Sequence, residues 1–301
     1  MSQSNLKVLW RMLRPFTLTA SLVPVLIGTG LAITIGHFRP WLFVAFALAS
    51  ILIQAATNMF NEYFDYRRGL DDEHMVGIAG TIVRDGMSPK FVWRTAWTFI
   101  GISVALGVYI CASTSWYIAL VGVLCLLIAF FYSGGPKPLA YTPFGELAAS
   151  VAMGPVIVLL AFYVQTSEIT GRATAVSVPI GLLIGAILLA NNIRDMEQDK
   201  QGGRRTIAIL MGREKGRILF GAVFAVAYLT VLALVAIGWL TPIALFVLIT
   251  VPSAYYVTRL YYRFTEPVKL HAAVKGTAVL LFRFGAILFA AMMVSVWLPV
   301  K

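Results

Sequence analysis

The strongest constraint on this chain is a set of long stretches with no charged residue at all, such as 16–36, 41–61 and 174–193. The hydrocarbon core of a bilayer is about 30 Å thick, and about 20 apolar helical residues cross it. No water is present there to satisfy backbone N–H and C=O groups, so only helices and closed barrels can span it. Barrel strands read as short alternating segments, whereas these runs are continuously apolar. The expected fold is therefore all-α and polytopic, a single integral membrane domain over 1–301.

Nine helices are expected, over 16–36, 41–64, 91–112, 116–134, 144–165, 174–194, 215–238, 241–263 and 272–298, packed around a central cavity. Residues 1–15, with Lys7, Arg11 and Arg14, read as an amphipathic lead-in. The first apolar run is long enough to span and no small-residue cleavage site follows it, so it reads as a helix, not a leader. Cys111 and Cys125 fall inside apolar runs and read as small hydrophobes.

Charge fixes an orientation. Only 12% of residues are charged, about half the usual fraction, and the net charge is +11. With the N-terminus in the cytoplasm, twenty of the 24 Lys and Arg fall in inside segments. Arg39, Arg172 and Lys301 fall outside, and Arg283 lies within the ninth helix. Basic residues anchor cytoplasmic loops, so this asymmetry accounts for the net charge. No soluble basic module is available to bind nucleic acid. A multi-pass protein of a bacterial plasma membrane is expected, with a cytoplasmic N-terminus.

Against this basic background, ten of the thirteen acidic residues lie in two segments and the loops that follow them. The first segment is Asn58-Met-Phe-Asn61-Glu62-Tyr-Phe-Asp65, at the exit of the second helix. Offsets of three, four and seven share a helix face, which groups Asn58, Asn61, Glu62 and Asp65. The second contains Asn191, Asp195 and Asp199, spaced four and four, at the exit of the sixth helix. One motif per four helices suggests a parallel internal repeat, helices 1–4 and 5–8. Two unrelated polar loops are the plainer alternative.

Facing clusters of carboxylates repel by about 4 kcal/mol per pair at 4 Å and intermediate dielectric, and bound cations remove that cost. The donors are all oxygen, so the cation is hard. Mg²⁺ takes one or two carboxylates and fills its remaining positions with water and substrate phosphates. Acids merely solvated at helix ends are the bland alternative, but at helix C-termini they oppose the macrodipole. Phosphate oxygens also want basic donors. Arg84, Lys137, Lys200, Arg204 and Arg205 lie near the motifs, where each would serve equally as a charge anchor. No GxxxxGK[ST] loop is present, so a diphosphate carried on a lipid fits better than ATP. Among the histidines, His74 lies nearest the motifs. Tyr63, Tyr132 and Tyr141 suit either a cation-stabilising wall or an interfacial belt. Arg283, inside a helix, is a functional hypothesis by default.

The stretches NMFNEYFDYRRGLD and NNIRDMEQDKQGGRRT resemble the two Asp-rich motifs of the UbiA-type intramembrane aromatic prenyltransferases. GIAGTIVRDG, FYSGGPKPLAYTPFGE and GRRTIAILMGR resemble the branch of that family acting in menaquinone biosynthesis. The resemblance covers nearly the whole chain. It implies transfer of a polyprenyl group from its diphosphate to 1,4-dihydroxy-2-naphthoate, with loss of CO₂. It also implies Mg²⁺ held by both motifs, diphosphate contacts from Arg84, Lys137, Lys200, Arg204 and Arg205, and catalytic roles among Asp65, Asp72, Lys137 and Tyr132. Glu62 departs from the family's common Asp while keeping the charge, and Asp71 and Asp72 are offset from the usual spacing. Two competitors remain: the same fold acting on another aromatic acceptor such as 4-hydroxybenzoate, and a cation-coupled transporter. A transporter would place its ionisable residues near mid-membrane, not at helix exits.

Overall fold

A computed structural model describes residues 3–70 and 80–297. The expectations for Asp71, Asp72, His74 and Lys301 fall outside these residues. A short helix, α1 (Gln3–Leu13), leads into α2 (Pro15–Ile33), α3 (Pro40–Arg67), a small α4 (Thr81–Asp85), α5 (Pro89–Ser113) and α6 (Tyr117–Phe131). Next come α7 (Gly145–Val151), a π-helical stretch (Ala152–Val156), α8 (Ile157–Thr166), α9 (Gly171–Arg194) and α10 (Met196–Gln201). The last third holds α11 (Ile207–Ala236), a 3₁₀ stretch (Pro242–Thr250), α12 (Val251–Arg263) and α13 (Pro267–Trp297). No strand occurs among the described residues.

Proline sets several starts. Pro15, Pro40, Pro89 and Pro242 each sit in the first turn of their elements, where the missing N–H has no helical acceptor to lose. Within the fifth predicted helix Pro155 does the opposite. It widens one turn into the π segment, which packs against α9 where a Cβ on Gly154 would lie 2.3 Å from the Gly181 Cα. Gly28 does the same between α2 and α8, where a Cβ would meet the Val158 carbonyl oxygen at 2.2 Å. Small residues at such crossings let backbones approach in the absence of a hydrophobic drive between helices.

Eight segments of the described residues are long and apolar enough to cross a membrane. The ninth, expected over 116–134, is the 15-residue α6. It is about 22 Å long at 1.5 Å per residue, short of a full hydrocarbon core. It still returns the chain. Asp85, just before α5, pairs with Arg11, while Ser133 and Gly135, just after α6, accept from Arg68 at the exit of α3. Both ends of the α5–α6 excursion therefore lie at the end of the bundle where α3 stops. At the opposite end, Gln165 accepts from the Arg39 backbone N–H, and Arg172 donates to the Trp239 carbonyl.

One apolar core joins α2, α8, α9, α11, α12 and α13; a smaller one joins α1, α3, α4 and α5. The cavity lies between them. Arg283, expected inside the bundle, instead faces outward in a shallow groove with Ser253 and Tyr256 of α12.

Candidate functional site

The cavity holds about 600 Å³ and is walled by α2, α3, α5, α6, the π segment, α9 and α13. Its depth is apolar, with Phe46, Ile53, Val108, Leu126 and Ile187 among its lining. Its charged residues gather where α3 and α9 end.

Both motifs reach this mouth. Asn58, Asn61 and Asp65 of the first, and Asn191, Asp195 and Asp199 of the second, line the cavity. The second motif is not one continuous helix face. α9 ends at Arg194, Asp195 leaves helical geometry, and α10 restarts at Met196. Asp65 and Asp199 meet on one guanidinium. Arg204 Nη2 donates to Asp65 Oδ1 and Oδ2 at 3.1 and 3.2 Å, and its Nη1 lies 3.1 Å from Asp199 Oδ1. The local cause is the turn after α10. Gly203 takes φ 78°, which glycine adopts without a Cβ penalty. The Arg204 N–H then bonds back to the Asp199 carbonyl at 2.9 Å.

Burial opposes the Arg204 charge, but Asp65 and Asp199 outweigh it and hold its pKa above the ordinary arginine value. Burial also pushes the Asp199 carboxyl up to about 6, against the pull of Arg204 and with help from Asp195 and Asp65. Asp195 is engaged separately. Arg194 grips both its oxygens, with Nε 2.7 Å from Oδ1.

Glu62 stands apart from the set expected to bind metal. It is buried, and its Oε1 accepts from Thr81 Oγ1 and from the Ile82 N–H at 2.9 Å. It fastens α4 to α3 and does not line the cavity. At about 100° per residue, position 62 is the edge of the face shared with 58, 61 and 65, about 40° past Asn58 on the side away from Asn61, and that edge meets α4.

The expected diphosphate contacts divide. Arg204 lines the cavity; Arg84, Lys137, Lys200 and Arg205 are exposed and do not. Tyr132 lines the cavity. Tyr63 instead stacks in an aromatic cluster with Phe64 and Trp93. The Tyr141 ring is flanked by two guanidiniums, Arg68 at 5.2 Å and Arg204 at 5.0 Å from its centroid.

Three ionisable cavity residues carried no motif signal: Arg14, His271 and Lys275. Arg14 sits in a left-handed conformation (φ 51°) at the start of α2 and lies 4.0 Å from Glu62 Oε2. Its place just ahead of the Pro15 helix start was the one available cue. His271 and Lys275 are four apart on α13, a helical spacing too common to single out in advance.

The fold and the site together define a polytopic α-helical membrane protein with an intramembrane cavity, apolar in its depth and charged at one mouth. The model of the UbiA prenyltransferase family matches residues 21–282, and the chain belongs to that family. It is 46% identical over 289 residues to the 1,4-dihydroxy-2-naphthoate octaprenyltransferase of Bacillus subtilis (strain 168), covering 96% of this chain and 93% of that one. Identity to the protein of the same name from Mycobacterium tuberculosis is 35% over 229 residues, covering 75% and 77%. The fold is shared with a UbiA homolog from Archaeoglobus fulgidus bound to GPP and Mg²⁺, at TM-score 0.65 and 19% identity over 95% of this chain and 99% of that one.

Proposed function

We propose that this chain transfers a polyprenyl group from polyprenyl diphosphate to 1,4-dihydroxy-2-naphthoate, releasing diphosphate and CO₂ and giving a demethylmenaquinol. The observation that carries this reading is the meeting of Asp65 and Asp199, one from each motif, at the charged mouth of an otherwise apolar cavity. An anionic head with a long apolar tail matches that polarity, and the relatives' names supply the acceptor. The concentration of basic residues at the motif end supports a cytoplasmic side for it, and with it for the N-terminus, in a bacterial plasma membrane. α6 completes a ninth crossing.

The donor set fits Mg²⁺. The two carboxylates already converge on a positive charge, and the amides of Asn61 and Asn191 share their cavity. Asp65, Asp199, Asn61, Asn191, Asn58 and Asp195 are the residues that would hold it. When bound, Mg²⁺ supplies positive charge to the departing diphosphate.

Arg14 and Arg204 bind the anionic head, and their charge is strongest at the leaving oxygen as the allylic C–O bond breaks and diphosphate departs with the electron pair. The Tyr132 ring faces the cavity where the allylic cation forms. The apolar wall excludes water that would capture that cation. The ring carbon bearing the carboxylate then bonds to the allylic carbon. CO₂ leaves its bonding pair in the ring, which restores aromaticity.

The test is turnover of carboxyl-labelled 1,4-dihydroxy-2-naphthoate with a polyprenyl diphosphate and Mg²⁺, against an EDTA control. Labelled CO₂ and a prenylated naphthoquinol, both lost on chelation, are expected. Product from 4-hydroxybenzoate and none from the naphthoate would overturn the acceptor. Full activity in folded Asp195→Ala would overturn the place of Asp195 among the metal-binding residues.

A further inference from the structure

Lys275 and His271 project from one face of α13 into the cavity, beside the second motif. Lys275 makes no hydrogen bond or ion pair among the described residues; its ammonium rests over the Phe16 ring, 4.7 Å from the centroid. His271 Nδ1 lies 3.3 Å from Arg194 Nη1. A guanidinium can only donate, so Nδ1 accepts and the neutral ring carries its proton on Nε2. Arg194 is in turn held by Asp195. This chain of contacts fixes the imidazole as a donor through Nε2. An uncommitted cation and an oriented N–H donor thus stand one helical turn apart on the same wall. Between and beyond them, Val274, Ala278 and Ala20 are apolar.

We propose that His271 and Lys275 form the recognition site for the carboxylate of the aromatic acceptor, with the fused ring lying on the neighbouring apolar wall. The cavity contains a separate cationic group for the other anion. Arg204 is joined to Asp65 and Asp199, and Arg14 lies on the same side near Glu62 and Asp65. Among the described residues nothing acidic pairs with Lys275, and the flat Phe16 face below it suits an aromatic acid better than a diphosphate. The pair would therefore decide which acceptor enters. An aromatic ring with an adjacent carboxylate is held by Lys275, and the ring alone is not. This inference rests on the acceptor being an aromatic acid, as proposed above.

Two measurements test it, both on full-length protein in nanodiscs. The first compares kcat/KM for 1,4-dihydroxy-2-naphthoate and for 1,4-dihydroxynaphthalene, which lacks the carboxylate. Charge-assisted hydrogen bonds of this kind correspond to about a 10- to 100-fold preference. Lys275→Met should lower the acid-to-diol ratio by that factor, Lys275→Arg should largely restore it, and KM for the prenyl diphosphate should hold. An unchanged ratio, or a rise confined to the KM of the prenyl diphosphate, overturns the proposal. The second measures binding of 1-hydroxy-2-naphthoate against 1-naphthol by naphthalene fluorescence, without any diphosphate. Preference for the acid that disappears in Lys275→Met and weakens in His271→Phe supports the site even if turnover of this acceptor fails. Equal binding of acid and naphthol by the unmodified protein overturns the site even if turnover succeeds.

Discussion

Replacing Arg204 by glutamine should loosen the protein more than any other single change at the mouth. The guanidinium touches Asp65 at 3.1 Å and Asp199 at 3.1 Å, with side chains 18%, 14% and 10% exposed. At an effective dielectric of 20 each contact is worth about 5 kcal/mol before desolvation. The net cost of removing one partner from a buried pair is about 3 to 5 kcal/mol, because the carboxylates left behind are buried and uncompensated. For a chain of this size, at about 2.1 cal/mol/K of unfolding entropy per residue, that is a fall in Tm of about 5 to 8 °C. The assay is tryptophan fluorescence on heating, in nanodiscs with EDTA. Asp199→Asn added to Arg204→Gln should recover a large part of the loss, since it removes one of the stranded charges. Arg205→Gln, one residue along and exposed, should change little. If Arg204→Gln and Arg205→Gln melt within about 2 °C of each other, the bridging argument is wrong.

Glu62→Asp should lower activity with little change in metal affinity, because the shorter side chain cannot reach Thr81 and Ile82 together; equal loss of Mg²⁺ binding, read by calorimetry, would return Glu62 to the metal set. Burial pushes the Asp199 carboxyl up to about 6 in the folded protein, above the ordinary carboxylate range, so the folded state holds its proton more tightly. Its contribution to metal-free stability is complete below about pH 4 and is lost as pH rises through about 6. Because protons and metal compete for the carboxylate, the half-saturating Mg²⁺ concentration should climb as pH falls below about 6; a flat profile between pH 5 and 7 would refute this. Gly28→Leu should destabilise by about 1 to 3 kcal/mol or more by forcing α2 off α8, visible as lost thermal stability and poor yield of folded protein.

Much of this was legible in the sequence because the membrane simplifies the problem. Uncharged runs become helices, and polar clusters at their exits mark the mouth. Asn58, Asn61, Asp65, Asn191, Asp195 and Asp199 were found that way, and all line the cavity. What escaped depended on partners remote in the chain. Glu62 has the right charge and nearly the right spacing, yet α4 takes it away. Lys200, Arg204 and Arg205 look equivalent in sequence, and the left-handed turn at Gly203 decides that Arg204 alone turns inward. His271 and Lys275 became visible only once α13 lay against α2 and α9. Arg283 shows the converse, since an arginine within an apolar run suggested a buried charge but faces outward.

The shortness of α6 also bears on the lipid around the protein. With only Ala129 buried among its fifteen residues, this helix forms an outer wall of the cavity and turns Tyr117, Leu120, Leu124, Leu127 and Phe131 outward. At about 22 Å, against about 30 Å of hydrocarbon, the ninth crossing proposed for α6 would draw the bilayer inward on that flank, since a short span is matched by local thinning. Lipids there would be more compressed than elsewhere around the protein. Acyl-chain length would then act on the cavity wall itself, and membrane thickness would tune the enzyme on the side proposed to hold its apolar substrate.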